Sequence, residues 1–402
     1  MQKQTVKPNF EFVALMAALM SITALTIDAI LPALSYIGIS VHSLSSTENQ
    51  QLITMIFLGL GVGQLFFGPL SDSYGRKPMV YVGFLIFFLA SLVCIFATSM
   101  LWMIFGRILQ GIGLSAARTI SISMIRDTYE GDYMAKVMSF VTAFFILIPV
   151  IAPALGKMVL DLWSWQAIFY MQILCSLLVV LWFWRRQPET LKSRYKIPFS
   201  KHSFIAGFLA LIQFKKTLAF TIITGLITGS FLVYLSAAQQ VFEEQYAMAN
   251  EFPYIFAGLA ISIGLATFLN GTLVLRLGMR KLAFSALCVF FSTSFLYVLL
   301  FWNTANPRVS VLVLFLSVQF FSLGFLFGNL RSLAMEPIGH IAGIGAAITG
   351  FVSTIIAIPI ASFVGSFVNH TVLPLFAGLA VCGFISLWIF ILIKRKERKI
   401  TT

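Results

Sequence analysis

The sequence predicts an all-α integral membrane protein, with twelve transmembrane helices in two six-helix, pseudo-symmetric bundles. Three observations carry that prediction. First, the chain of 402 residues is 59% hydrophobic and 10% charged, whereas an ordinary soluble domain is about 25% charged. Second, twelve apolar segments follow one another, at 10–37, 50–71, 79–99, 101–124, 136–160, 165–185, 217–242, 252–275, 280–302, 310–333, 342–366 and 371–393. Most are long enough to cross about 30 Å of hydrocarbon as helices. Their apolar character is continuous, whereas a membrane β-barrel would alternate. Third, the charges sort by side of the membrane.

With the N-terminus in the cytoplasm, the cytoplasmic segments hold Lys3, Lys7, Arg76, Lys77, Arg126, Lys136, the run from Arg185 to Lys216, Arg276, Arg280, Lys281, Arg331 and the tail from Lys394 to Lys399. Only Arg107, Arg118, Lys157 and Arg308 fall elsewhere, and the opposite loops hold His42, Glu48, Asp161, Glu243, Glu244, Glu251 and His370. The positive-inside rule therefore places both termini in the cytoplasm of an inner, cytoplasmic-type membrane. It also accounts for the net charge of +13 without nucleic acid.

The segments can be justified in order. The first follows Lys3 and Lys7, is too long for a signal-peptide core and contains Asp28, so it reads as an uncleaved span. The second runs into Gly68-Pro-Leu-Ser-Asp72-Ser-Tyr-Gly75-Arg76-Lys77, a glycine-rich cytoplasmic turn. The fourth carries Arg107 and Arg118, 11 residues apart and so on one helical face, with Gln110, Gly111, Leu114 and Ser115 between them. Ionisable groups inside a span face a water-filled cavity or a partner, so this helix reads as one wall of a solute pathway. Asp28 lies roughly 13 Å from the outer end of the first span and Arg107 about six residues in from the outer end of the fourth. That similar depth predicts a coupled pair, with Asp28 as proton carrier. A permanent structural ion pair is the alternative. The fifth span contains Pro153 and Gly156, which set its bend and packing.

The basic stretch 186–216 divides the helices six and six. It reads as a linker with an amphipathic surface helix, giving an N-terminal bundle over 1–185 and a C-terminal bundle with a basic tail over 217–402. Adding 203 to Gly68, Gly75 and Lys77 gives Gly271, Gly278 and Arg280, while Asp72 maps to Leu275. This points to a parallel duplication with the solute site between halves near the midplane. Tyr234, Ser236 and Gln239 in the seventh span, Asn270 in the eighth and Asn329 in the tenth are polar groups in apolar helices. They either line the pathway or bond a neighbouring helix. Glu336 follows the tenth span and is expected to pair with Arg118 or Arg126, as a cytoplasmic gate, when the cytoplasmic mouth closes.

Other chemistry is excluded. Cys94, Cys175, Cys288 and Cys382 sit in apolar runs with no metal spacing. No nucleotide-binding G-x-x-x-x-G-K-[ST] loop occurs, and four histidines, three of them in loops, assemble no catalytic or metal constellation. The chain is expected not to be an enzyme and to need no cofactor.

Several motifs resemble those of a known family. Gly68 to Lys77 resembles the signature loop of the major facilitator superfamily, G-x-x-x-D-[RK]-x-G-[RK]-[RK], departing at Ser73. Arg107-Ile-Leu-Gln110-Gly111 resembles the R-x-x-Q-G motif of its proton-driven members. Ile151-Ala-Pro153-Ala-Leu-Gly156 resembles the fifth-span element of its exporters, with Lys157 where a second glycine is usual. Ile27 to Leu34, Met124 to Tyr129, Trp163 to Phe169, and Asn329 with Ile338 to Ala346 resemble the Bcr/CflA branch of drug:proton antiporters. The resemblance implies the major facilitator fold and multidrug efflux, by which small amphipathic compounds are exported in exchange for protons and antibiotic resistance arises. It also implies a latch of Gly68, Asp72, Gly75, Arg76 and Lys77 completed by Asp127. The expected partners are a small-molecule substrate, protons and membrane lipid, with the protein acting as a monomer. A dedicated metabolite or siderophore exporter, and an uptake symporter or facilitator, stay open as alternatives.

Arg118 stands outside the family pattern. If it faces the central cavity, Arg118→Ala is expected to lower transport of an acidic substrate far more than of a cationic dye. Equal losses, measured in vesicles, would assign Arg118 a packing role instead.

Overall fold

The structure, a computed structural model, describes residues 9–129, 131–193 and 213–401, with the single positions 196 and 209. Lys3 and Lys7 and most of the linker expected over 186–216 lie outside the described residues. Every regular element described is helical. Eleven helices are long and apolar enough to cross a membrane, and Gly131–Leu162, with 32 residues, is a further long helix. The helices group into two compact units, one of Met1–Leu44 with Met55–Lys201, the other of Ser45–Thr54 with His202–Thr402.

Unit 1 begins with α1 (Phe10–Asp28), whose first turn is capped by the Asn9 side chain accepting from the Glu11 amide at 3.0 Å. The first span is not one continuous helix. α1 ends at Asp28, a short 3₁₀ turn follows at Leu31–Ala33, and α2 (Leu34–Ser40) completes the span. Pro32 lies inside that turn and has no N–H to continue an α-helical ladder. Asp28 thus sits at the break, not in mid-helix.

The unit continues with α3 (Ser46–Tyr74), α4 (Arg76–Ile95), α5 (Met100–Thr128), α6 (Gly131–Leu162) and α7 (Trp165–Arg186). α5 is the most tightly gripped. A Cβ at Gly59 or Gly111 would overlap backbone across the α3–α5 contact, and one at Gly83 or Gly113 would do so across the α4–α5 contact. Such close approach is how membrane helices gain dispersion contact without a hydrophobic drive. The same device locks α6 onto α1, because a Cβ at Gly156 would overlap the Ala29 carbonyl. The Pro153–Gly156 element is therefore pressed against the chain break next to Asp28.

Unit 2 holds α8 (Lys215–Gln240), a π-helical turn at Val241–Gln245, α9 (Phe252–Leu277), α10 (Met279–Phe301), α11 (Val309–Met335), α12 (Ala342–Gly365) and α13 (Leu373–Thr401). The first turns of α3 group with it: Gln50 donates to Gln240 Oε1 at 2.7 Å and to the Gly365 carbonyl at 3.3 Å, and Ser46 bonds Glu244. These bonds draw Ser45–Thr54 away from the 1–185 division that sequence alone predicts. Tyr246 donates to the Pro307 carbonyl at 2.9 Å. Burial pushes its phenol up to about 12, so it remains a donor throughout the physiological range.

The repeat shows in the backbone. Gly75 and Gly278 are the positive-φ glycines among the described residues, at +111° and +80°, and each caps the helix that follows. They are the two positions 203 apart that the sequence pairs.

Gly156→Leu is expected to destabilise the protein by about 3 kcal/mol or more, because the side chain has no volume to enter. Gly258→Ala, where nothing lies within 4 Å of a new Cβ, is expected to be neutral or to stabilise by up to about 1 kcal/mol. Thermal unfolding of the detergent-purified variants checks both.

Candidate functional site

Two groups of residues in unit 1 and one in unit 2 carry the candidate chemistry. The first surrounds Arg107. This side chain has no exposed surface, and a buried guanidinium must find acceptors inside the protein. Its Nη1 donates to Gln110 Oε1 at 2.8 Å, one helical turn along α5, and to the Thr26 carbonyl of α1 at 3.3 Å. That carbonyl is accessible because α1 is about to end. Gln110 in turn donates to Ser91 Oγ at 2.8 Å, and Ser91 donates to the Phe87 carbonyl at 2.7 Å.

Asp28 is 5% exposed and makes no hydrogen bond or ion pair among the described residues. The permanent ion pair, the alternative to a coupled pair, is therefore not the arrangement found. Arg107 reaches α1 two residues short of Asp28 and bonds backbone. Depth along a helix was readable, but azimuth and the helix break were not.

The second group is the cytoplasmic cluster at the start of α4. Arg76 is 2% exposed and binds Asp72 at 2.6 Å, Asp127 at 2.9 Å and Ser71 Oγ at 2.7 Å. Asp72, Arg76 and Asp127 are thus brought together, with Gly75 supplying the left-handed turn between helices. Two participants escaped the sequence reading. Thr190 donates to Asp127 at 3.1 Å, and Glu189 accepts from the Lys77 amide at 2.9 Å at the N-terminus of α4. An acid there satisfies an orphan N–H and suits the helix dipole. Both follow Pro188, just past the end of α7, and that proline was the available signal. Lys77 Nζ reaches the Trp184 carbonyl at 3.4 Å. A Cβ at Gly68 would meet Thr119 Cγ2 at 3.8 Å. Lys157 pairs with Asp161 one turn along α6 at 2.6 Å, which gives the unexpected lysine a local role.

The third group corrects an expectation. Glu336 pairs with Lys216 at 2.6 Å and Arg280 at 3.5 Å, all within unit 2, in place of Arg118 or Arg126. The repeat explains why. The third helix and the loop after it are each three residues longer in the second half, so beyond them the offset is 209. Glu336 is then the counterpart of Asp127, and Arg280 that of Lys77. The second half has lost the counterpart of Asp72 and kept that of Asp127. Arg126 is exposed at the end of α5, and Arg118 is half-buried on it.

Among the expected cavity residues, Asn329 donates to Asn270 Oδ1 at 2.7 Å and to the Phe325 carbonyl at 2.9 Å. Gln239 donates to Glu243 at the π-helical turn. Tyr234 packs edge-on to Phe320 at 4.7 Å and stacks on Phe256 at 6.3 Å, and its buried hydroxyl has no hydrogen-bond partner among the described residues.

The model of the Major Facilitator Superfamily matches residues 13–362. The chain belongs to this superfamily. Superfamily members are transporters, and this chain is a multi-pass membrane protein of that kind. Its similarity extends to a bicyclomycin resistance protein homolog of Haemophilus influenzae, 27% identical over 397 residues and covering 98% of each chain. The multidrug resistance protein MdtL of Salmonella paratyphi C is 28% identical over 331 residues, 81% of this chain and 80% of MdtL. These relatives agree with the Bcr/CflA resemblance. The crystal structure of the human organic anion transporter MFSD10 shares the superfamily fold, with a TM-score of 0.68 and 13% identity over 96% of this chain and all of that one.

Asp127→Asn is expected to lower stability by roughly 1–3 kcal/mol, because it leaves the buried Arg76 short of a charged acceptor. Glu189→Gln, at an exposed amide cap, should cost about 0.5 kcal/mol or less. Unfolding midpoints of the two variants measured side by side test this order.

Proposed function

We propose that this superfamily member exports small amphipathic organic compounds in exchange for protons across a bacterial inner membrane, with both termini cytoplasmic. The observation that carries the reading is the placement of Asp28. It is a buried carboxyl at a helix break, without an ion pair, backed by the Gly156 element that resembles the exporters'. A carboxyl in such a place changes protonation only when water or a substrate reaches it, which ties its proton to the opening of the pathway. Arg107 of α5, anchored on the Thr26 carbonyl two residues before Asp28, provides the positive field against which that proton and a cationic or polar substrate compete. Alternating access of the two six-helix halves would carry the exchange. The names of the relatives, bicyclomycin resistance and multidrug resistance, support efflux as the direction. Arg118 in unit 1, and Tyr234, Gln239 and Asn329 in unit 2, are the residues proposed to meet substrate. Gly68, Asp72, Gly75, Arg76, Lys77 and Asp127 are assigned to a latch that holds one conformational state, with Arg126 and Glu336 at the cytoplasmic mouth.

Asp28→Asn, reconstituted into proteoliposomes with an imposed pH gradient, should lose uphill export of cationic, neutral and anionic test compounds alike. Wild type should release protons when its substrate is added. An Asn variant that still drives pH-dependent uphill export would rule out the carrier role.

A further inference from the structure

The contacts that fix Arg107 have a twin in unit 2 that lacks the arginine. Gln319 donates to Ser294 Oγ at 2.7 Å and to the Phe290 carbonyl at 3.0 Å, and Ser294 donates to Phe290 at 2.7 Å. Phe290 and Ser294 lie 203 residues beyond Phe87 and Ser91, and Gln319 lies 209 beyond Gln110. The position equivalent to Arg107 is Leu316. There the amide oxygen of Gln319 is buried and accepts from no described donor. In unit 1 the corresponding oxygen, Gln110 Oε1, accepts from Arg107. The amide–hydroxyl–carbonyl chain is therefore a joint of the repeat itself, and one half has fitted an arginine to its spare oxygen.

The chain has only one polarity. The Ser91 hydroxyl proton is committed to the Phe87 carbonyl, so Ser91 can offer Gln110 only a lone pair. Gln110 must then turn Nε2 toward Ser91 and Oε1 toward Arg107. A flipped amide would set an N–H against the guanidinium.

We infer that Gln110 and Ser91 are positioning residues that hold the Arg107 guanidinium on the Thr26 carbonyl and off the Asp28 carboxyl. The inference rests on the reading of Asp28 and Arg107 as the coupling groups. Held this way, Arg107 acts on Asp28 at a distance and does not quench it in a permanent ion pair, so the carboxyl stays available to a proton. The other titratable side chain close to this part of α5 is Cys94 of α4, which lies against Gly106. α3 approaches α5 here through Ile56, Gly59 and Leu60. The outer end of α6 carries Lys157 and Asp161, paired with each other.

The test needs no substrate. In the purified full-length protein, the infrared carbonyl stretch of the protonated Asp28 carboxyl, identified by its loss in Asp28→Asn, is titrated against pH. Ser91→Ala frees the amide to flip and releases the guanidinium toward the carboxylate. The midpoint should move to lower pH by about half a unit or more, the effect of one charge-assisted contact. Ser294→Ala, the same truncation where Leu316 replaces arginine, should leave the midpoint where it is. Equal midpoints in the two variants, shifted or not, overturn the inference. Should Ser91→Ala not fold, Gln110→Leu against Gln319→Leu makes the same comparison. Arg107→Gln separates the two levels. If it leaves the Asp28 midpoint unmoved, Arg107 and Asp28 are not coupled and the underlying reading fails with the inference. If it moves the midpoint while Ser91→Ala does not, only the positioning role is lost.

Discussion

A guanidinium with no exposed surface lies between α1 and α5, and much of unit 1 bears on where its Nη1 finds acceptors. Ion-pairing Arg107 to Asp28 would have neutralised both charges at once. Unit 1 instead gives Arg107 a carbonyl from the frayed end of α1 and an amide from its own helix. This requires α1 to stop at Asp28, α6 to come close enough at Gly156 to pack against the break, and α4 to present Ser91 at the level of Gln110. The bare α3–α5 and α4–α5 contacts at Gly59, Gly111, Gly83 and Gly113 make those alignments possible. They set helix separation by backbone and so fix side-chain levels with little freedom.

The duplication gives that arrangement a comparison inside the same molecule. Both halves keep a left-handed glycine before their third helix and an amide–hydroxyl–carbonyl joint between the third and fourth. The halves also place one small residue against another at the same contact. Gly63 meets Ser115 in the first half, and Ala266 meets Gly324 in the second. What differs is charge. The first half has Asp28, Arg107, Asp72 and Arg76, where the second has apolar residues at the counterparts of Arg107, Asp72 and Arg76. The second half retains the cytoplasmic acid alone, as Glu336, with Lys216 and Arg280 as its cations. Ionisable groups are costly in a membrane interior, and in this chain they are concentrated in unit 1.

The sequence by itself determined the class, the apolar segments and the family, because these depend on composition and on residues close together in the chain. Hydropathy reports the solvent each segment will meet, and the Gly68 to Lys77 loop is local enough to be read as a pattern. The membership of Asp127 in the Arg76 cluster came only through the family resemblance. The tertiary structure decided the rest. The break of α1 at Asp28 follows from Pro32, whose ring and missing N–H exclude a helical bond to the Asp28 carbonyl, but the packing of α6 against that break does not show in the sequence. The partners of Arg107 depend on helix azimuth, which a list of depths does not contain. Glu189 and Thr190 looked like linker because their roles exist only once α7 returns beside α4 and Asp127. The pairing of Glu336 with Lys216 and Arg280 was not legible because a six-residue shift, shared between the third helix and the loop after it, hides its equivalence to Asp127. Hydrogen bonds of known direction between residues far apart in the chain are set by how helices rotate and slide against one another, and linear order does not encode that geometry.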